Sequence, residues 1–327
     1  MITLYAGTPK GLRRSSNTLA TGLAADIIWI DLLNPTTEEE HGIEDLLGVD
    51  VPTREEMQEI EISSRLYIEG NAQYMTASLI CRAETDSPQT TPVTFILAGG
   101  RLVTLRYEDP RPFQTFPLQV ERHGEATSSA LDVLLGLLEA IVDRTADILE
   151  RVQGEVDSVS TQIFSPTQGK AHTKESGTRY RAILQAEGRN QLLTLKARES
   201  LVSIGRVVTF LGRPTEFKPS KLEAARLKTL SRDLESLSDH ATHLAQTITF
   251  LLEATLGMLN IEQNEIIKIF SIAAVVFLPP TLIASIEGMN FPNMPEQSWA
   301  IGYLLAMIAL VVSAFLPYWY FKRRGWL

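Results

Sequence analysis

The sequence has a single cysteine, Cys81, so it cannot form an intrachain disulfide or a Cys-x-x-Cys metal or redox motif. It also lacks a phosphate-cradling glycine loop with its lysine, and it shows no Ser/His/Asp or Cys/His arrangement of the kind that supports nucleophilic catalysis. Positive charge is scarce, because 30 Lys and Arg face 39 Asp and Glu in 327 residues. We therefore expect neither an enzyme nor an ATP-driven pump, and we expect no organic cofactor. Nucleic-acid binding is disfavoured, since it depends on Lys and Arg neutralising phosphates.

The negative charge is concentrated in one part of the chain. Residues 265–327 hold four Lys/Arg and three Asp/Glu, so the net charge of −9 leaves −10 on residues 1–264. Such an acidic portion is suited to attracting cations. The opening segment, Met1–Leu12, is polar and interrupted by glycine and proline, so we expect no secretory signal and a cytosolic location for this portion.

Two long charge-free runs lie near the end of the sequence. Ile269–Ile286 has eighteen residues and Trp299–Phe321 has twenty-three, and each can cross a hydrocarbon core of about 30 Å. The alternative, a buried helical hairpin in a soluble protein, is uncommon for charge-free runs of this length. The basic residues Lys322–Arg324 follow the second run, whereas the segment Glu287–Ser298 has no Lys or Arg, so we expect both termini in the cytosol and this loop outside. Candidate interfacial aromatic residues are Trp299, Tyr303, Tyr318, Trp319, Tyr320 and Trp326.

The remaining sequence divides into an α/β start and a helical continuation. Segments rich in β-branched and aromatic residues predict strands at Ile27–Leu32, Arg65–Cys81, Pro92–Ala98 and Arg101–Tyr107. Gly99 and Gly100 predict a hairpin between the last two. Helices are expected at Thr36–Leu47, Thr53–Glu61, 126–163 and 175–211.

These patterns predict an α+β protein with a long helical stalk. The expected parts are a cytosolic α/β domain at 1–120, a cytosolic helical region at 121–217, the stalk of a long helix at 218–265, a first transmembrane helix at 266–286, an external loop at 287–298, a second transmembrane helix at 299–321 and a basic cytosolic tail at 322–327. The change from strand-like to helix-like periodicity separates the first two parts.

The stalk is expected to continue into the first apolar run as one helix, because no proline occurs between Pro219 and Pro279 and Ser220 can cap its start. Along the stalk, mostly apolar residues recur at alternating steps of three and four: Leu227, Leu230, Leu234, Leu237, Ala241, Leu244, Ile248, Leu251, Thr255 and Met258. This spacing is typical of a coiled-coil seam, which needs a partner. The partner could be another copy of the chain or the chain's own helices, and the sequence leaves both open.

A second stripe with the same spacing runs through the first apolar run. It comprises Asn264, Ile267, Ser271, Ala274, Leu278, Thr281, Ser285 and Gly288, so that small, hydroxyl and amide groups share one face. Two helices cannot enclose a water-filled path, but several copies of this helix around an axis can, and the stripe therefore favours a homo-oligomeric pore. Close helix packing would also explain the small residues, although it does not account for asparagine near both ends.

The segment Glu287-Gly288-Met289-Asn290 stands at the outer end of the stripe. Taken alone, Gly288 is a helix stop and Asn290 a turn residue. In an assembly of several chains, however, the Gly288 carbonyl and the Asn290 amide oxygen form a ring of hard oxygen ligands. Such a ring suits a hydrated divalent cation.

The same residues resemble the CorA family of magnesium transporters, in its proteobacterial form. The resemblance rests on Gly288-Met289-Asn290 between two terminal spans, on the short acidic loop and on the basic terminus from Tyr320 to Leu327. It is closest from Asn260 onward, including Phe277-Leu278-Pro279-Pro280, and upstream it is one of architecture.

The resemblance implies a homopentamer in the bacterial inner membrane, with a cytosolic funnel and with the first span of each chain lining the pore. It implies passive Mg²⁺ influx driven by the membrane potential, with Co²⁺ and Ni²⁺ as further cargo. Roles follow for individual residues: Gly288, Met289 and Asn290 would receive hydrated Mg²⁺, Thr281 would form a polar ring, Ile267 and Leu278 would form apolar constrictions, and Asn264 would lie at the inner end. The partners are other copies of the chain, the lipid bilayer and divalent cations.

Glu287 stands where the family commonly has tyrosine. Together with Glu296 it places negative charge at the expected pore mouth, where it would concentrate divalent cations by an effect that weakens with salt. The alternatives are an ordinary solvated carboxylate and a pair with a residue of a neighbouring chain.

In the family, Mg²⁺ bound between cytosolic subunits by acidic residues holds the pore shut, so the resemblance also implies regulatory Mg²⁺. The candidate ligands are Asp233, Glu235 and Asp239 on the stalk, and Glu84, Asp86, Glu108 and Asp109 on the α/β domain. Each of them is also explained as an ordinary exposed charge.

Two other functions stay open at this point. His240 and His243, one turn apart beside Asp239, could bind a transition metal, although they are also explained as a polar helix face. A related branch of the superfamily carries Zn²⁺, whereas Met289 favours Mg²⁺. In a different class, the apolar hairpin could merely anchor an oligomeric signalling or scaffold protein.

Overall fold

The computed structural model describes residues 1–9, 11–15, 23–123, 129–164, 173–212, 219–289 and 301–326, without the side chains of residues 123 and 173–176. The chain forms two compact units. The first comprises Met1–Ala171 with Arg181–Leu252, and the second comprises His172–Tyr180 with Glu253–Leu327. The first unit contains a β-sheet, and the second contains the two apolar runs.

A seven-stranded mixed sheet begins the first unit. Its strands are β1 (Ile2–Thr8), β2 (Gly11–Arg14), β3 (Ile27–Leu33), β4 (Leu66–Glu69), β5 (Ala72–Cys81), β6 (Gln89–Ala98) and β7 (Arg101–Arg106). Their order across the sheet is β2-β1-β3-β7-β6-β5-β4. Strands β3 and β7 run parallel, whereas the other neighbouring pairs among these seven are antiparallel.

All the predicted strands are present, with two differences. The predicted strand Arg65–Cys81 is two strands, β4 and β5, because the chain reverses in a tight turn at Gly70 and Asn71. Strands β1 and β2 occupy the opening segment, where the sequence pattern predicts no strand. Gly99 and Gly100 have positive φ angles of 56° and 77°, which confirms the hairpin between β6 and β7.

Four short helices belong to the same unit: α1 (Thr37–Leu47), α2 (Arg54–Gln58), α3 (Ile62–Arg65) and α4 (Pro112–His123). Helices α1 and α2 begin where the sequence predicts, because Thr36 and Thr53 each form a capping box with the glutamate three residues further on. The predicted helix Thr53–Glu61 is shorter in the structure. Helix α4 is not predicted by the sequence pattern; it starts at Pro112 and keeps Pro117 in its interior.

Both faces of the sheet are covered. All ten residues of β5 are buried, which is typical of a strand with packed residues on either side. On one face, Ile43 of α1 and Met57 of α2 join a core that includes Ile30, Tyr74 and Ile96. Helix α5 (Ala130–Phe164) packs against β3, β6 and β7.

Two further long helices are α6 (Thr173–Leu211) and α7 (Lys221–Glu287). Helix α7 confirms the prediction of one continuous helix, and its start is capped by Ser220, whose hydroxyl accepts a hydrogen bond from the Glu223 amide at 3.2 Å. Within the first unit, the seam residues from Leu227 to Leu251 are buried except for the half-buried Leu237. The chain's own helices therefore cover this part of the seam.

Helix α8 (Gly302–Arg323) contains the second apolar run. The C-terminal part of α7 and helix α8 are each long and apolar enough to cross a membrane. In both, the apolar segment is almost entirely exposed, which is not the arrangement of a buried hairpin in a soluble protein.

Candidate functional site

Helix α7 has a covered side and an open side within the second unit. Ile272 is buried, and the half-buried positions of the apolar run are Ala273, Val276, Pro279, Pro280 and Ile283. Helix α8 has a matching half-buried side formed by Gly302, Ala306, Leu310, Ser313 and Pro317. Spacings of three and four on both helices indicate that these two sides pack against each other.

The predicted stripe occupies the open side of α7. All of its residues are exposed: Asn264, Ile267, Ser271, Ala274, Leu278, Thr281, Ser285 and Gly288. The apolar members show this most clearly, since Ile267 is 61% exposed and Leu278 is 69% exposed. At about 100° per residue, the stripe points roughly opposite to the covered side. The small residues of the stripe are therefore not explained by packing within this chain.

Thr281 shows which hydrogen bonds a hydroxyl on the open side of α7 can form. Its Oγ1 donates a hydrogen bond to the Phe277 carbonyl at 2.7 Å. Because the hydroxyl proton is used there, the remaining lone pairs of the oxygen can accept hydrogen bonds from water. The water shell of a cation is a donor of this kind.

The outer end of the stripe follows directly from the end of α7 at Glu287. The Gly288 amide donates to the Ala284 carbonyl at 3.0 Å, and the Met289 amide donates to the Ile286 carbonyl at 3.2 Å. A Cβ atom at position 288 would lie 3.1 Å from the Ala284 carbonyl oxygen, so a side chain there would be crowded. Asn290 and Glu296, which complete the predicted entrance, lie outside the described residues.

Glu287 itself is exposed. Among the residues that the structure describes, no lysine or arginine forms an ion pair with its carboxylate. Its charge is therefore not neutralised within this part of the chain.

The candidate interfacial aromatics are exposed in the described part of the second unit. Tyr303 lies near the start of α8, and Tyr318, Trp319, Tyr320 and Trp326 lie at or after its end. Trp299 lies outside the described residues. Exposed aromatic rings at both ends of an apolar helix are typical of residues at a membrane–water interface.

The predicted regulatory carboxylates of the α/β domain differ in their surroundings. Glu84 accepts from the Arg111 guanidinium at 2.9 Å and also contacts Arg144. The side chain of Asp86 is 98% exposed, with Arg189 Nη1 at 3.8 Å. A cation at Glu84 would compete with two arginines, whereas Asp86 is open to solvent.

Glu108 and Asp109 are also paired within the chain. Glu108 accepts from Arg82 at 2.9 Å, and Asp109 contacts Arg106. A cation at either carboxylate would therefore compete with an arginine.

The stalk carboxylates Asp233, Glu235 and Asp239 are exposed on α7. The described residues contain no group of three or more His, Cys, Asp or Glu side chains that could hold a metal ion, and this includes His240 and His243. A metal site that uses the stalk residues thus needs ligands from beyond the described part of one chain.

The sequence pattern did not identify one cluster of carboxylates, which is centred on Asp143. Desolvation raises the pKa of Asp143 on α5, and the neighbouring charges of Glu139, Asp147 and Asp233 raise it further. The spacing of four residues along α5 could have identified three members as one helix face. The approach of Asp233 on α7 depends on how the two helices pack.

Comparison with known proteins gives a consistent result. Residues 24–323 match the sequence model of the family described as "CorA-like Mg2+ transporter protein". The chain is 37% identical over 300 residues to the magnesium transport protein CorA of Pasteurella multocida, with 92% of each chain covered. It is 34% identical over 302 residues to the magnesium transport protein CorA of Salmonella typhimurium, again with 92% of each covered.

A solved structure shares the fold. The complete structure of the CorA magnesium transporter from Methanocaldococcus jannaschii matches with a TM-score of 0.75 at 18% identity, over 100% of this chain and 99% of that one. The predicted architecture is therefore confirmed, with an N-terminal α/β domain, long helices and two C-terminal apolar helices.

Proposed function

This chain belongs to the family of CorA-like Mg²⁺ transporters, and from that premise we propose that several copies of it surround a passive channel for hydrated Mg²⁺. Membership also identifies the chain as a bacterial inner-membrane protein of an ion-transporter family rather than an enzyme. The channel mechanism, the assembly and the gating are the parts proposed.

The observation that carries the proposal is the open stripe on α7. Packing within the chain uses Ile272, Val276 and Ile283, and it leaves Ser271, Thr281 and the rest of the stripe exposed. If they faced lipid, the lone pairs that these hydroxyl oxygens do not use within the helix would meet no hydrogen-bond donor, because the hydrocarbon core contains no water. Facing a shared aqueous axis, they would meet water and hydrated ions.

The number of apolar helices per chain supports an assembly of several copies. Two helices per chain cannot enclose an aqueous path, so the lining must come from equivalent α7 helices of several copies. The family resemblance supports five copies, with the α8 helices forming an outer ring. The stalk seam is covered within the chain as far as Leu251, so contacts between copies would use other surfaces of the first unit.

An ion would pass from outside to inside along one ordered set of residues. Glu287 and Glu296 would raise the local concentration of cations, and the Gly288 carbonyl with the Asn290 amide would hold Mg²⁺ through its waters. Mg²⁺ gives up its water reluctantly, so neutral oxygens suit a site that must also release the ion. The order from there inward is Ser285, Thr281, Leu278, Ala274, Ser271, Ile267 and Asn264, in which Leu278 and Ile267 are the apolar constrictions.

The driving force would be the membrane potential together with the concentration gradient. The basic residues after α8 place that end of the helix in the cytosol, so the mouth at Glu287 opens outward. An inside-negative potential contributes about 2.3 kcal/mol per elementary charge per 100 mV, and this is doubled for a divalent cation. Co²⁺ and Ni²⁺ would follow the same route.

Intracellular Mg²⁺ would close the channel by bridging neighbouring copies. The exposed carboxylates Asp86, Asp233, Glu235 and Asp239 are the accessible ligands, whereas Glu84 would first have to leave Arg111 or Arg144. A cation shared between acidic surfaces would offset their mutual repulsion. Loss of Mg²⁺ from the cytosol would then release the closed state.

The decisive experiment replaces Asn290 by alanine in a cell that lacks its own magnesium uptake. The channel proposal expects near-complete loss of growth on limiting Mg²⁺, with membrane insertion and oligomer size unchanged. Normal growth with Asn290→Ala would instead favour an anchored scaffold. Parallel uptake measurements with Zn²⁺ and Mg²⁺ would separate a zinc transporter from a magnesium transporter.

A further inference from the structure

A turn at the end of α8 folds the last described residue back on the helix. Gly325 has φ = 69°, in the left-handed region that glycine adopts readily. The Trp326 amide donates to the Phe321 carbonyl at 3.0 Å, and the Gly325 amide donates to the Lys322 carbonyl at 3.2 Å. This is a Schellman motif. As a result, the Trp326 ring stacks on Phe321 with 5.6 Å between ring centres.

The Trp326 ring also contacts a residue of helix α7. Lys268 Nζ lies 5.6 Å from the centre of the Trp326 ring. Three cationic side chains at the end of α8 also lie over aromatic rings. The distances to the ring centres are 5.9 Å for Lys322 over Tyr318, 4.9 Å for Arg323 over Trp319, and 5.4 Å for Arg324 over Tyr320. We call Lys268, Lys322, Arg323, Arg324 and Trp326 the basic-aromatic cluster.

The positive charges of this cluster are not neutralised by carboxylates. In the part of the chain that the structure describes, none of its four cations takes part in an ion pair. Arginines of the first unit behave differently, since Arg226 contacts Glu139 at 2.7 Å and Arg106 contacts Asp31 at 2.8 Å. An aromatic ring stabilises a cation without cancelling its charge, so the cluster remains available to an anion.

We propose that the basic-aromatic cluster binds the headgroup of an anionic phospholipid, with Lys268 and the cations at the end of α8 contacting its phosphate. Lys268 of α7 lies over the Trp326 ring just after the end of α8, and Trp326 is 50% exposed. Its ring can therefore contact the glycerol and upper acyl chain while the cations contact the phosphate. A lipid supplies both kinds of contact, whereas a free phosphate supplies only one. The inference depends on membrane insertion and not on the proposed pore.

The test uses the purified full-length chain in nanodiscs of phosphatidylcholine with an increasing fraction of phosphatidylglycerol. Binding is measured as the number of phosphatidylglycerol molecules retained per subunit in native mass spectrometry and as the shift of the unfolding temperature. Lys268→Gln should raise the fraction of phosphatidylglycerol needed for half-saturation about fivefold, the value expected for one charge near a membrane surface. Lys228→Gln is the matched control, because Lys228 is an exposed lysine of the first unit and loses the same charge.

Position 325 tests the part played by the turn. Gly325→Ala should weaken lipid retention because a left-handed conformation is costly for alanine, whereas Gly325→Asn should retain most of it because asparagine tolerates that conformation. A Cβ atom at this position meets no neighbouring atom within 4 Å, so a steric clash does not confuse the comparison.

Two results would overturn the proposal. The first is equal lipid binding by Lys268→Gln and Lys228→Gln, with oligomer size unchanged in both. The second is displacement of phosphatidylglycerol by inorganic phosphate, which would identify a site for small anions. Transport measurements on the same variants are independent, so loss of Mg²⁺ uptake with normal lipid retention would bear on the pore alone.

Discussion

Arg106 and Asp31 form a buried ion pair in the middle of the sheet. Arg106 Nη2 donates to Asp31 Oδ2 at 2.8 Å and Nε donates to Oδ1 at 3.0 Å, and the two side chains are only 5% and 6% exposed. The Thr104 hydroxyl donates to the same carboxylate at 2.7 Å, and the Trp29 indole N–H donates to Thr104 at 3.0 Å. The network joins the parallel strands β3 and β7 and fixes how they align.

We expect Asp31→Asn to lower the free energy of unfolding by about 3 kcal/mol, because it leaves the Arg106 guanidinium buried with only part of its charge compensated. The remaining contact with Asp109 keeps the loss at the lower end of the usual range for broken buried pairs. Urea unfolding of the full-length protein, followed by circular dichroism, measures the change.

Glu108→Gln provides the comparison, since it breaks the exposed pair of Glu108 with Arg82. An exposed pair contributes at most about 1 kcal/mol. Equal destabilisation by the two substitutions would mean that burial of the Arg106–Asp31 pair has no energetic consequence.

The sequence predicts α7 well because every local signal agrees. Ser220 caps its start, no proline interrupts it before Pro279, and the spacing of its apolar residues is helical throughout. The stripe is predictable for the same reason, since a helix of known extent fixes which residues share a face. Strands β1 and β2 escape prediction because glycine and proline interrupt the opening segment and β2 has only four residues. Their pairing with each other and with β3 defines them.

The surroundings of the acidic residues are not predictable in this way. Glu84 pairs with Arg111 and Arg144, which lie 27 and 60 residues away along the chain. Nothing in the local sequence distinguishes it from the open carboxylate of Asp86. Such pairings depend on the folded arrangement of strands and helices, and they decide which carboxylates remain free for a cation.

Cys81 is expected to be unreactive in the folded protein. Burial raises the pKa of its thiol, the Glu108 carboxylate raises it further, and Arg82 partly opposes the shift. The reactive thiolate is therefore disfavoured, and the reagent has little access. Reaction with a chromogenic disulfide at pH 8 should be at least about tenfold slower in the native state than in guanidinium chloride. Equal rates in the two states would show that the thiol is accessible.

Because native Cys81 is expected to be unreactive, a cysteine introduced into the stripe can be labelled selectively. Ser271→Cys should react with a membrane-impermeant cationic thiol reagent and lose Mg²⁺ uptake, because a thiol at an aqueous pore ionises. Ala309→Cys lies on an exposed position of α8 and should stay unlabelled, since a thiol in hydrocarbon does not form its thiolate. Uptake of Mg²⁺ before and after labelling is the measurement. Protection of Ser271→Cys together with reaction of Ala309→Cys would indicate that α8, and not α7, lines the pore.

The role of Glu287 at the expected pore mouth can be tested by the salt dependence of Mg²⁺ uptake. The carboxylate is exposed and forms no ion pair within the described residues, so in a ring of several copies its charge would act on approaching cations. We expect Glu287→Gln to lower the initial rate of Mg²⁺ uptake at least about twofold at low ionic strength.

The difference should shrink as salt is added, because the Debye length falls to about 10 Å at 0.1 M and the mouth charges no longer reach into solution. Glu253→Gln is the matched control, since Glu253 is exposed on the same helix but lies away from the end of the stripe. Removing one negative charge there should leave uptake unchanged at every ionic strength. If Glu287→Gln matches wild type across the whole range of salt, the glutamate is an ordinary surface charge, and the neutral oxygens of the ring would have to capture the ion without its help.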